Sequence, residues 1–447
     1  MNANNQNMKT AITSIINLFK NEYQSSSGFP IYALNGLTGQ CVTSRTLLSE
    51  LDDYLTFFYM LKEYDYVKRQ IDLLQIEVNN DPFIFKTPQI RVSKGLGLPL
   101  RKFYPHNDNQ DYVEILYALI ELYDMSGEIQ YLDIFTELLD EIISGFYKDN
   151  QLYTWRLRPY GQIIPIADAM SGMYIEILME AGTITKNHRY IEIANQIKDR
   201  WIHSKLFKKY GIFPLIDADK PWSFIPKVNR LMGKAELAKS NSAMGAGLIA
   251  MTSFKGKNFE IDGTIQKWVQ GLEKCFLTDR GVFAHLPDFS SEYASGPILS
   301  TNFAMIDIYC DLYVFYNKEK YLNRAVKIAE FFIEFQHGDT GLFPDNINSY
   351  RSYLDGNTDL AVSLYRLSEL TQDNRFYDAG YRAINGVIKF HRCKYGYYRD
   401  VDIRSGNVIN PIVETRFVSL FLKALILYSS DENIYGSEGN WSRFRDR

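Results

Sequence analysis

An aspartate followed six residues later by a tyrosine recurs five times in this chain, each time inside an apolar stretch with helical periodicity. Two degenerate copies, at 242–248 and 415–421, complete a series with a period of roughly sixty residues. A repeat of this length predicts consecutive helical hairpins, most of which bring one carboxylate. The five full copies are Asp53–Tyr59, Asp111–Tyr117, Asp168–Tyr174, Asp307–Tyr313 and Asp359–Tyr365.

Apolar residues recur at helical spacing in about fourteen segments, which predicts an all-α chain. Paired along the sequence, with the last helix closing onto the first, they make seven hairpins of a single (α/α) toroid domain over 1–447. Six hairpins plus an extra pair is the alternative. Residues 1–7 and 431–447 are expected to be flexible. The predicted helices are 8–22, 48–63, 66–78, 109–126, 129–147, 166–183, 187–203, 240–254, 259–276, 299–316, 318–336, 357–372, 375–390 and 412–429.

The connections between these helices alternate between short and long. In an antiparallel ring, alternate connections lie at opposite ends, so the long loops gather on one face, where we expect the functional site. Four long loops contain a glycine followed by an apolar residue and an aromatic one, which predicts short β-hairpins. Their aromatic residues pack at the rim of the barrel, floor a ligand cleft, or do both. The motifs are YGIF (210–213), RGVF (280–283), TGLF (340–343) and YGYY (395–398).

Composition argues against several classes of function. The net charge of −4 gives no reason to expect nucleic-acid binding. No run of eighteen apolar residues occurs, so no membrane span is expected. The N-terminal stretch lacks the basic start and the small-residue cleavage site of a clear signal peptide, and we expect a cytoplasmic protein. The four cysteines form no CxxC pair, which favours reduced thiols.

Acidic residues near the starts of the predicted helices form the leading candidate site. Hydrolysis of a glycosidic bond needs a general acid and a second carboxylate, about 5 Å apart in retaining enzymes and about 6.5–9.5 Å apart in inverting ones. The alternative is that each acidic residue only caps a helix or interacts with its dipole. Four positions lie in segments with more polar groups than one cap requires, and they are the predicted catalytic residues: Asp53, Asp111, Asp359 and Glu414.

Aromatic and polar residues in the same loops are candidates for substrate binding. Aromatic rings present stacking faces with a polar edge. Arginine binds carboxylate or sulfate through paired hydrogen bonds, so three or more converging arginines would indicate an acidic substrate such as a uronate. Solvated loop charges are the alternative. The candidates are Tyr104, His106, Asp108, Trp155, Arg156, Arg158, Trp222, Tyr350, Arg351, Tyr353, Asp355 and Arg416.

Motifs for other chemistries do not occur. The sequence has no GxSxG, HExxH, GxxxxGK[ST] or GxGxxG pattern. We therefore expect no cofactor, and a calcium ion among the carboxylates has no motif to support it. His391 and Cys393 are too few for a metal site and are expected to be structural. A carbohydrate is the expected partner, and the sequence does not fix the oligomeric state.

The repeated hairpins resemble the (α/α) toroid superfamily of carbohydrate-active proteins, which includes six- and seven-hairpin glycosidases and N-acylglucosamine 2-epimerase-like proteins. Besides the repeat, the segment HRCKYGYYRDVDIRSGNV (391–408), leading into a helix that begins VETRF, carries this resemblance. It implies a glycoside hydrolase acting on an oligo- or polysaccharide. The paired catalytic histidines of the epimerase-like group have no counterpart here, which argues against sugar 2-epimerisation. Two alternatives stay open: a polysaccharide lyase or uronyl epimerase acting on an acidic glycan, and a non-catalytic glycan-binding or assembly scaffold.

Overall fold

The structure is a computed structural model that describes residues 3–46, 52–80, 106–157, 162–219, 241–255, 259–286 and 297–429. Its contacts divide the chain into two compact units. The first contains the described residues within 1–92, 114–135 and 329–441, and the second contains those within 93–113 and 136–328. The single domain predicted over 1–447 stays a prediction.

Helices account for most of the described residues. Those ranges contain α1 (Ala3–Asn17), α2 (Asp52–Met60), α3 (Tyr64–Asn80), α4 (Val113–Ser126), α5 (Ile129–Phe146), α6 (Gly172–Ile184), α7 (His188–Ile202), α8 (Lys205–Tyr210), α9 (Ser242–Lys255), α10 (Phe259–Phe276), α11 (Leu299–Tyr316), α12 (Glu319–Ile333), α13 (Leu354–Thr371), α14 (Asn374–Phe390) and α15 (Thr415–Ser429).

All fourteen predicted helices are confirmed, and among the helices of the described ranges the short α8 was not predicted. The first helix begins at Ala3, inside the segment expected to be flexible, and continues into a π-helical turn over Leu18–Glu22. The largest boundary error is at α6, because a strand and a 3₁₀ turn (Ala169–Ser171) precede it. None of the helices in the described ranges is long and apolar enough to cross a membrane.

Short strands form small antiparallel sheets in the long loops. Of the four glycine motifs, YGYY contains a strand (Gly396–Tyr397) and Phe283 of RGVF forms only an isolated bridge with Leu277, whereas YGIF and TGLF contain no strand. The first unit holds sheets β15–β1–β2, β10–β13–β14 and β11–β12, and the second holds β3–β6–β7, β4–β5 and β8–β9. The strands are β1 (Ile31–Asn35), β2 (Cys41–Thr46), β3 (His106–Asp108), β4 (Tyr147–Lys148), β5 (Gln151–Leu152), β6 (Trp155–Leu157), β7 (Ile163–Ile164), β8 (Ile166–Asp168), β9 (Ile216–Ala218), β10 (Arg351–Tyr353), β11 (Arg392–Cys393), β12 (Gly396–Tyr397), β13 (Asp400–Asp402), β14 (Val408–Asn410) and β15 (Ile412–Glu414).

Close packing of small residues fixes the helices of the first unit around α13. The hydroxyl of Tyr428 on α15 donates a hydrogen bond to the carbonyl of Ala361 on α13 at 2.7 Å. A Cβ atom at Gly380 on α14 would overlap that hydroxyl, so only glycine allows this approach. Tyr365, a tyrosine of the repeat, packs edge-on against Tyr428 with ring centroids 5.4 Å apart. Here the repeated tyrosine packs between helices rather than facing a ligand.

In the second unit, small residues likewise allow close packing between α6 and α9. A Cβ at Gly172 would come within 2.5 Å of the backbone of Met244, and a Cβ at Gly245 would overlap the indole of Trp268. The small residues of the sequences SGM and SAMGAG therefore allow these helices to approach closely. Trp268 and Met244 are fully buried in the core that results.

A buried asparagine ties each of three long loops to the helix that follows it. In the first unit, Asn357 accepts a hydrogen bond from the backbone N–H of Phe343 at 2.8 Å and donates to its carbonyl at 3.1 Å. In the second unit, Asn302 binds Phe283 in the same way, at 2.9 and 3.0 Å. Asn241 repeats the pair of contacts with Phe213, at 2.9 and 3.3 Å. We call this contact the asparagine latch.

The burial of the loop aromatic residues decides whether they pack in the core or floor a ligand cleft. Phe283 and Phe343 are fully buried and Tyr398 is 8% exposed, so these rings pack in the core and do not floor a cleft. The preceding glycine makes the turn: Gly341 has φ +72°, in the left-handed region that residues with a Cβ rarely adopt. The motif therefore makes a turn and places a buried aromatic anchor.

Candidate active site

Two strands and a helix start in the first unit hold a cluster of charged residues. Strand β10, which leads into α13, pairs antiparallel with β13, so that Tyr353 lies opposite Asp400. Arg399, just before β13, donates its N–H to the carbonyl of Ile412 in β15 at 2.8 Å and accepts the N–H of Leu354 at 2.8 Å. The backbone of Arg399 therefore joins the strand before α15 to the start of α13.

Glu414, a predicted catalytic residue, lies in this cluster between two arginines. Its Oε1 accepts a hydrogen bond from Nη1 of Arg399 at 3.1 Å. Its Oε2 accepts one from the hydroxyl of Tyr32 at 3.2 Å and lies 3.6 Å from Nε of Arg416. The side chain of Glu414 is only 10% exposed. These contacts fix the orientation of a nearly buried carboxylate.

Asp400 is a second buried carboxylate beside the first. Its Oδ2 lies 3.2 Å from Nε of Arg351, and its side chain is fully buried. Within the described residues this contact is an ion pair without hydrogen-bond geometry, and neither oxygen of Asp400 makes a hydrogen bond. Burial raises the pKa of Asp400, although Arg399 and Arg351 oppose the increase. The buried carboxylate of Asp400 therefore lies close to Arg351 and Arg399.

Tyr353 lies beside both exposed arginines of the cluster. Its hydroxyl accepts a hydrogen bond from Nη1 of Arg351 at 3.0 Å. The guanidinium carbons of Arg351 and Arg399 lie 5.6 and 5.9 Å from the centroid of its ring. Cations at these distances interact favourably with the ring face. One aromatic ring therefore lies within cation–π distance of both guanidinium groups.

A pair of aspartates lies next to these arginines. Asp345 is half-buried two residues after the anchor Phe343, and its N–H donates to the carbonyl of Arg351 at 2.8 Å. Burial raises the pKa of Asp345, the negative charge of Asp355 raises it further, and Arg351 opposes both. Asp355 is in the first turn of α13. A carboxyl group whose pKa is raised beside another carboxylate has the character of a general acid.

The cluster brings together five residues that the sequence predicted for the site: Arg351, Tyr353, Asp355, Glu414 and Arg416. Four members of the cluster are not among the predicted site residues: Tyr32, Asp345, Arg399 and Asp400.

A sequence signal for two of the missed residues did exist. Asp345 and Asp400 each lie two residues after the aromatic residue of a glycine motif, and His285 occupies the same position in the second unit. The aromatic is the buried anchor. Two residues later, Asp345 and His285 are half-buried, whereas Asp400 is fully buried. This position of the repeat therefore presents a titratable group in three successive loops.

Other predicted site residues lie apart from the cluster or are not described. Asp359 is half-buried on α13, one turn beyond Asp355. Tyr350 is 57% exposed, and its ring lies 3.6 Å from the guanidinium of Arg404. Trp155, which is buried, and Arg156 are on β6 of the second unit. Three predicted residues lie outside the described part of the chain: Tyr104, Arg158 and Trp222. For four others the structure describes the backbone but not the side chain: Asp53, His106, Asp108 and Asp111.

Within the described residues, no group of three or more His, Cys, Asp or Glu side chains could hold a metal ion. His391 is fully buried, and its Nδ1 lies 2.8 Å from the carbonyl oxygen of Tyr398. Burial lowers the pKa of His391 to about 4. The neutral ring joins the end of α14 to the residue before Arg399.

Comparison with known proteins identifies the fold. No protein-family model and no curated protein sequence matches the chain. Among solved structures, α-1,2-mannosidase from Trichoderma reesei superposes with a TM-score of 0.68 at 13% identity, over 96% of this chain and 94% of that one. D-mannose isomerase superposes with a TM-score of 0.59 at 9% identity, over 95% of this chain and 99% of that one. The fold is an (α/α)6 toroid.

A third similar structure is unsaturated glucuronyl hydrolase from Bacillus sp. GL1, with a TM-score of 0.51 at 14% identity, over 76% of this chain and 90% of that one. The predicted toroid is confirmed. The predicted resemblance to toroid carbohydrate-active proteins is confirmed for the fold. At these identities the comparison gives the fold and leaves the reaction to be argued from the site.

Proposed function

We propose that this chain is a carbohydrate-active enzyme that hydrolyses a glycosidic bond of an oligo- or polysaccharide. The toroid fold supports the proposal, because the similar structures named above include a mannosidase and a glucuronyl hydrolase. The observation that carries it is the Asp345–Asp355 pair, in which burial and a neighbouring carboxylate raise the pKa of Asp345. Glycoside hydrolysis requires one protonated and one ionised carboxyl group.

In the proposed reaction Asp345 is the general acid. Its proton moves to the glycosidic oxygen as the bond from that oxygen to the anomeric carbon breaks, so that the leaving sugar departs as an alcohol. Asp355 is the second carboxylate. It either takes a proton from the attacking water or attacks the anomeric carbon itself, and the anomeric configuration of the product distinguishes the two routes. This assignment differs from the predicted set of Asp53, Asp111, Asp359 and Glu414.

Substitution of the two aspartates tests the proposal. We expect Asp345→Asn and Asp355→Asn each to lower the rate of hydrolysis by roughly 10²- to 10⁴-fold, the usual contribution of acid–base catalysis. Asp378→Asn, the same change at an exposed position of α14, is the matched control. Release of 4-nitrophenol from a panel of 4-nitrophenyl glycosides, supplemented by reducing-end release from polysaccharides, measures the rate.

Three outcomes would contradict the proposal. Full activity in Asp345→Asn would exclude it as the acid. Loss of activity in Glu414→Gln with retention in both aspartate variants would favour the residue predicted from the sequence. Binding of glycans by the parent protein without turnover of any would point to a scaffold.

A lyase or uronyl epimerase is the second candidate, and the surroundings of Tyr353 favour it. Such enzymes neutralise the substrate carboxylate with cations and remove a proton with a base such as tyrosine. Tyr353 lies against Arg351 and Arg399, and its hydroxyl accepts a hydrogen bond from Arg351. A lyase would release a product with a new C=C bond that absorbs ultraviolet light, and Tyr353→Phe would abolish its formation. Hydrolysis releases no such product.

A further inference from the structure

We propose that Arg351 and Arg399 bind a carboxylate or sulfate group of the substrate, so that the enzyme acts on an acidic sugar. This inference rests on the proposed function, because it names the substrate class for the same site. The guanidinium carbons of both residues lie within 6 Å of the centroid of the Tyr353 ring, at 5.6 and 5.9 Å. Nε of Arg351 also lies 3.2 Å from Asp400, the residue that follows Arg399, so both arginines belong to one cluster. Their side chains are 42% and 31% exposed, which leaves them accessible to a ligand.

Each arginine keeps unused donors. Arg351 directs Nε to Asp400 and Nη1 to the Tyr353 hydroxyl, and Arg399 directs Nη1 to Glu414. Within the part of the chain that the structure describes, Nη2 of neither residue donates a hydrogen bond. Each Nη2 carries two N–H groups, and a guanidinium group suits the oxygens of an oxyanion.

The contacts underneath hold these arginines in place. Asp400 is fully buried with no hydrogen bond to its oxygens among the described residues, and Glu414 is 10% exposed. Burying carboxylates in this way is unfavourable in itself, and exposed ion pairs return little stability. The contacts orient two partly exposed guanidinium groups before a ligand binds, which reduces the entropy lost on binding.

Arg416 does not share this role. Its side chain is 9% exposed, and its Nε lies 3.6 Å from Glu414. It contacts the carboxylate from the buried side, while Arg399 contacts the same carboxylate from the exposed side. Arg416 is therefore a positioning residue for Glu414, and the oxyanion site has two arginines.

Binding measurements on matched sugars test the inference without requiring turnover. The ligands are glucuronic acid, glucose 6-sulfate and glucose, with the galacto and manno equivalents, titrated by calorimetry into the full-length protein. Arg351→Gln and Arg399→Gln are the test variants. Arg375→Gln is the matched control, since Arg375 is an exposed arginine at the opposite end of the 17-residue α14 from the cluster. Thermal unfolding of each variant reports whether it folds.

We expect the parent protein to bind at least one acidic sugar roughly tenfold or more tightly than its neutral partner. Arg351→Gln and Arg399→Gln should remove most of that preference and change neutral-sugar binding less than twofold. Arg351→Lys should restore part of it, because lysine keeps the charge but loses the planar fork. Comparison of the affinities for glucuronic acid and glucose 6-sulfate identifies which oxyanion is bound. If Arg399→Gln fails to fold, the more exposed Arg351 still provides the test.

Equal binding of neutral and acidic sugars by the parent, an unchanged preference in Arg351→Gln, or no binding of any acidic sugar at millimolar concentration would each overturn the inference. These results are separate from those for hydrolysis. Acidic sugars that bind through the arginines but are not hydrolysed would refute the hydrolase proposal alone. Hydrolysis of neutral glycosides that depends on Asp345 would refute the oxyanion site alone.

Discussion

The side chain of Asn357 binds both backbone groups of Phe343, accepting its N–H at 2.8 Å and donating to its carbonyl at 3.1 Å. The same amide donates to the hydroxyl oxygen of Ser352 at 2.7 Å and to the carbonyl of Tyr353 at 3.0 Å. One buried residue therefore joins the loop before the site, strand β10 and the start of α13. Asp345 follows Phe343 by two residues, so the latch also sets the position of the proposed general acid.

Asn357→Ala should destabilise the protein by about 3 kcal/mol, because at least two buried backbone groups lose their partner and each unsatisfied group costs about 1–3 kcal/mol. Chemical denaturation followed by circular dichroism measures the loss. Asn348→Ala, the same change at an exposed loop position, should alter stability by less than about 0.5 kcal/mol. Similar stabilities for the two variants would contradict the role of the latch.

The pKa of Asp345 should respond with opposite signs to its two charged neighbours. Asp355 raises this pKa and Arg351 lowers it. Asp355→Asn should therefore lower the pKa, and Arg351→Gln should raise it further. The side-chain ¹³C chemical shift of Asp345, titrated by NMR, gives the value without needing activity. In the parent enzyme, activity should fall as the pH rises through this pKa, because the general acid loses its proton.

A pKa shift of the same sign in both variants would show that the two neighbours act on Asp345 through a change of structure rather than through their charges.

His391 should make stability depend on pH below neutrality. Burial lowers its pKa in the folded state to about 4, from 6.5. The unfolded chain therefore takes up this proton first, so the contribution of His391 is complete above pH 6.5 and is lost as the pH falls toward 4. The loss by pH 4 should be about 3 kcal/mol. Denaturant unfolding at a series of pH values measures the slope.

His391→Gln should reduce the slope of stability against pH between 6.5 and 4, whatever its effect on stability at neutral pH. His203→Gln, at an exposed position, controls for the loss of a histidine. An unchanged slope in His391→Gln would mean that other groups cause the pH dependence.

Gly380→Ala should destabilise the first unit by about 1–3 kcal/mol, because the added methyl group overlaps the hydroxyl of Tyr428 in a tightly packed core. Gly263→Ala is the opposite case within a helix: no atom lies within 4 Å of its added Cβ, and the change should stabilise by up to about 1 kcal/mol. The thermal unfolding midpoints of the two variants should move in opposite directions. A stabilising Gly380→Ala would show that α14 and α15 do not pack as described.

Much of the helical framework could be predicted because each helix buries an apolar face that repeats at its own period. Helices α10 and α11 begin and end where the periodicity indicated, at 259–276 and 299–316. Helix α6 was predicted six residues too early. The segment Ile166–Asp168 is apolar enough for a helix, but it pairs as a strand with Ile216–Ala218, a contact about fifty residues away that local propensity does not report.

The candidate site could be predicted only in part. Arg351, Asp355 and Glu414 lie next to helix starts, where the sequence pattern pointed. Asp400 belongs to the cluster because β13 pairs with β10 in a register that places it opposite Tyr353 and close to Arg351. The register between two strands that are distant in the sequence cannot be predicted from either segment alone.

The sequence by itself determined an all-α chain of repeated hairpins, with long loops that turn at a glycine and carry polar residues toward helix starts. Those features depend on local periodicity, on backbone sterics and on the burial of apolar side chains. Only the tertiary structure decided that Asp345 keeps its proton more readily than an ordinary aspartate. That property comes from burial and from the charges of Asp355 and Arg351, which the fold brings within electrostatic range.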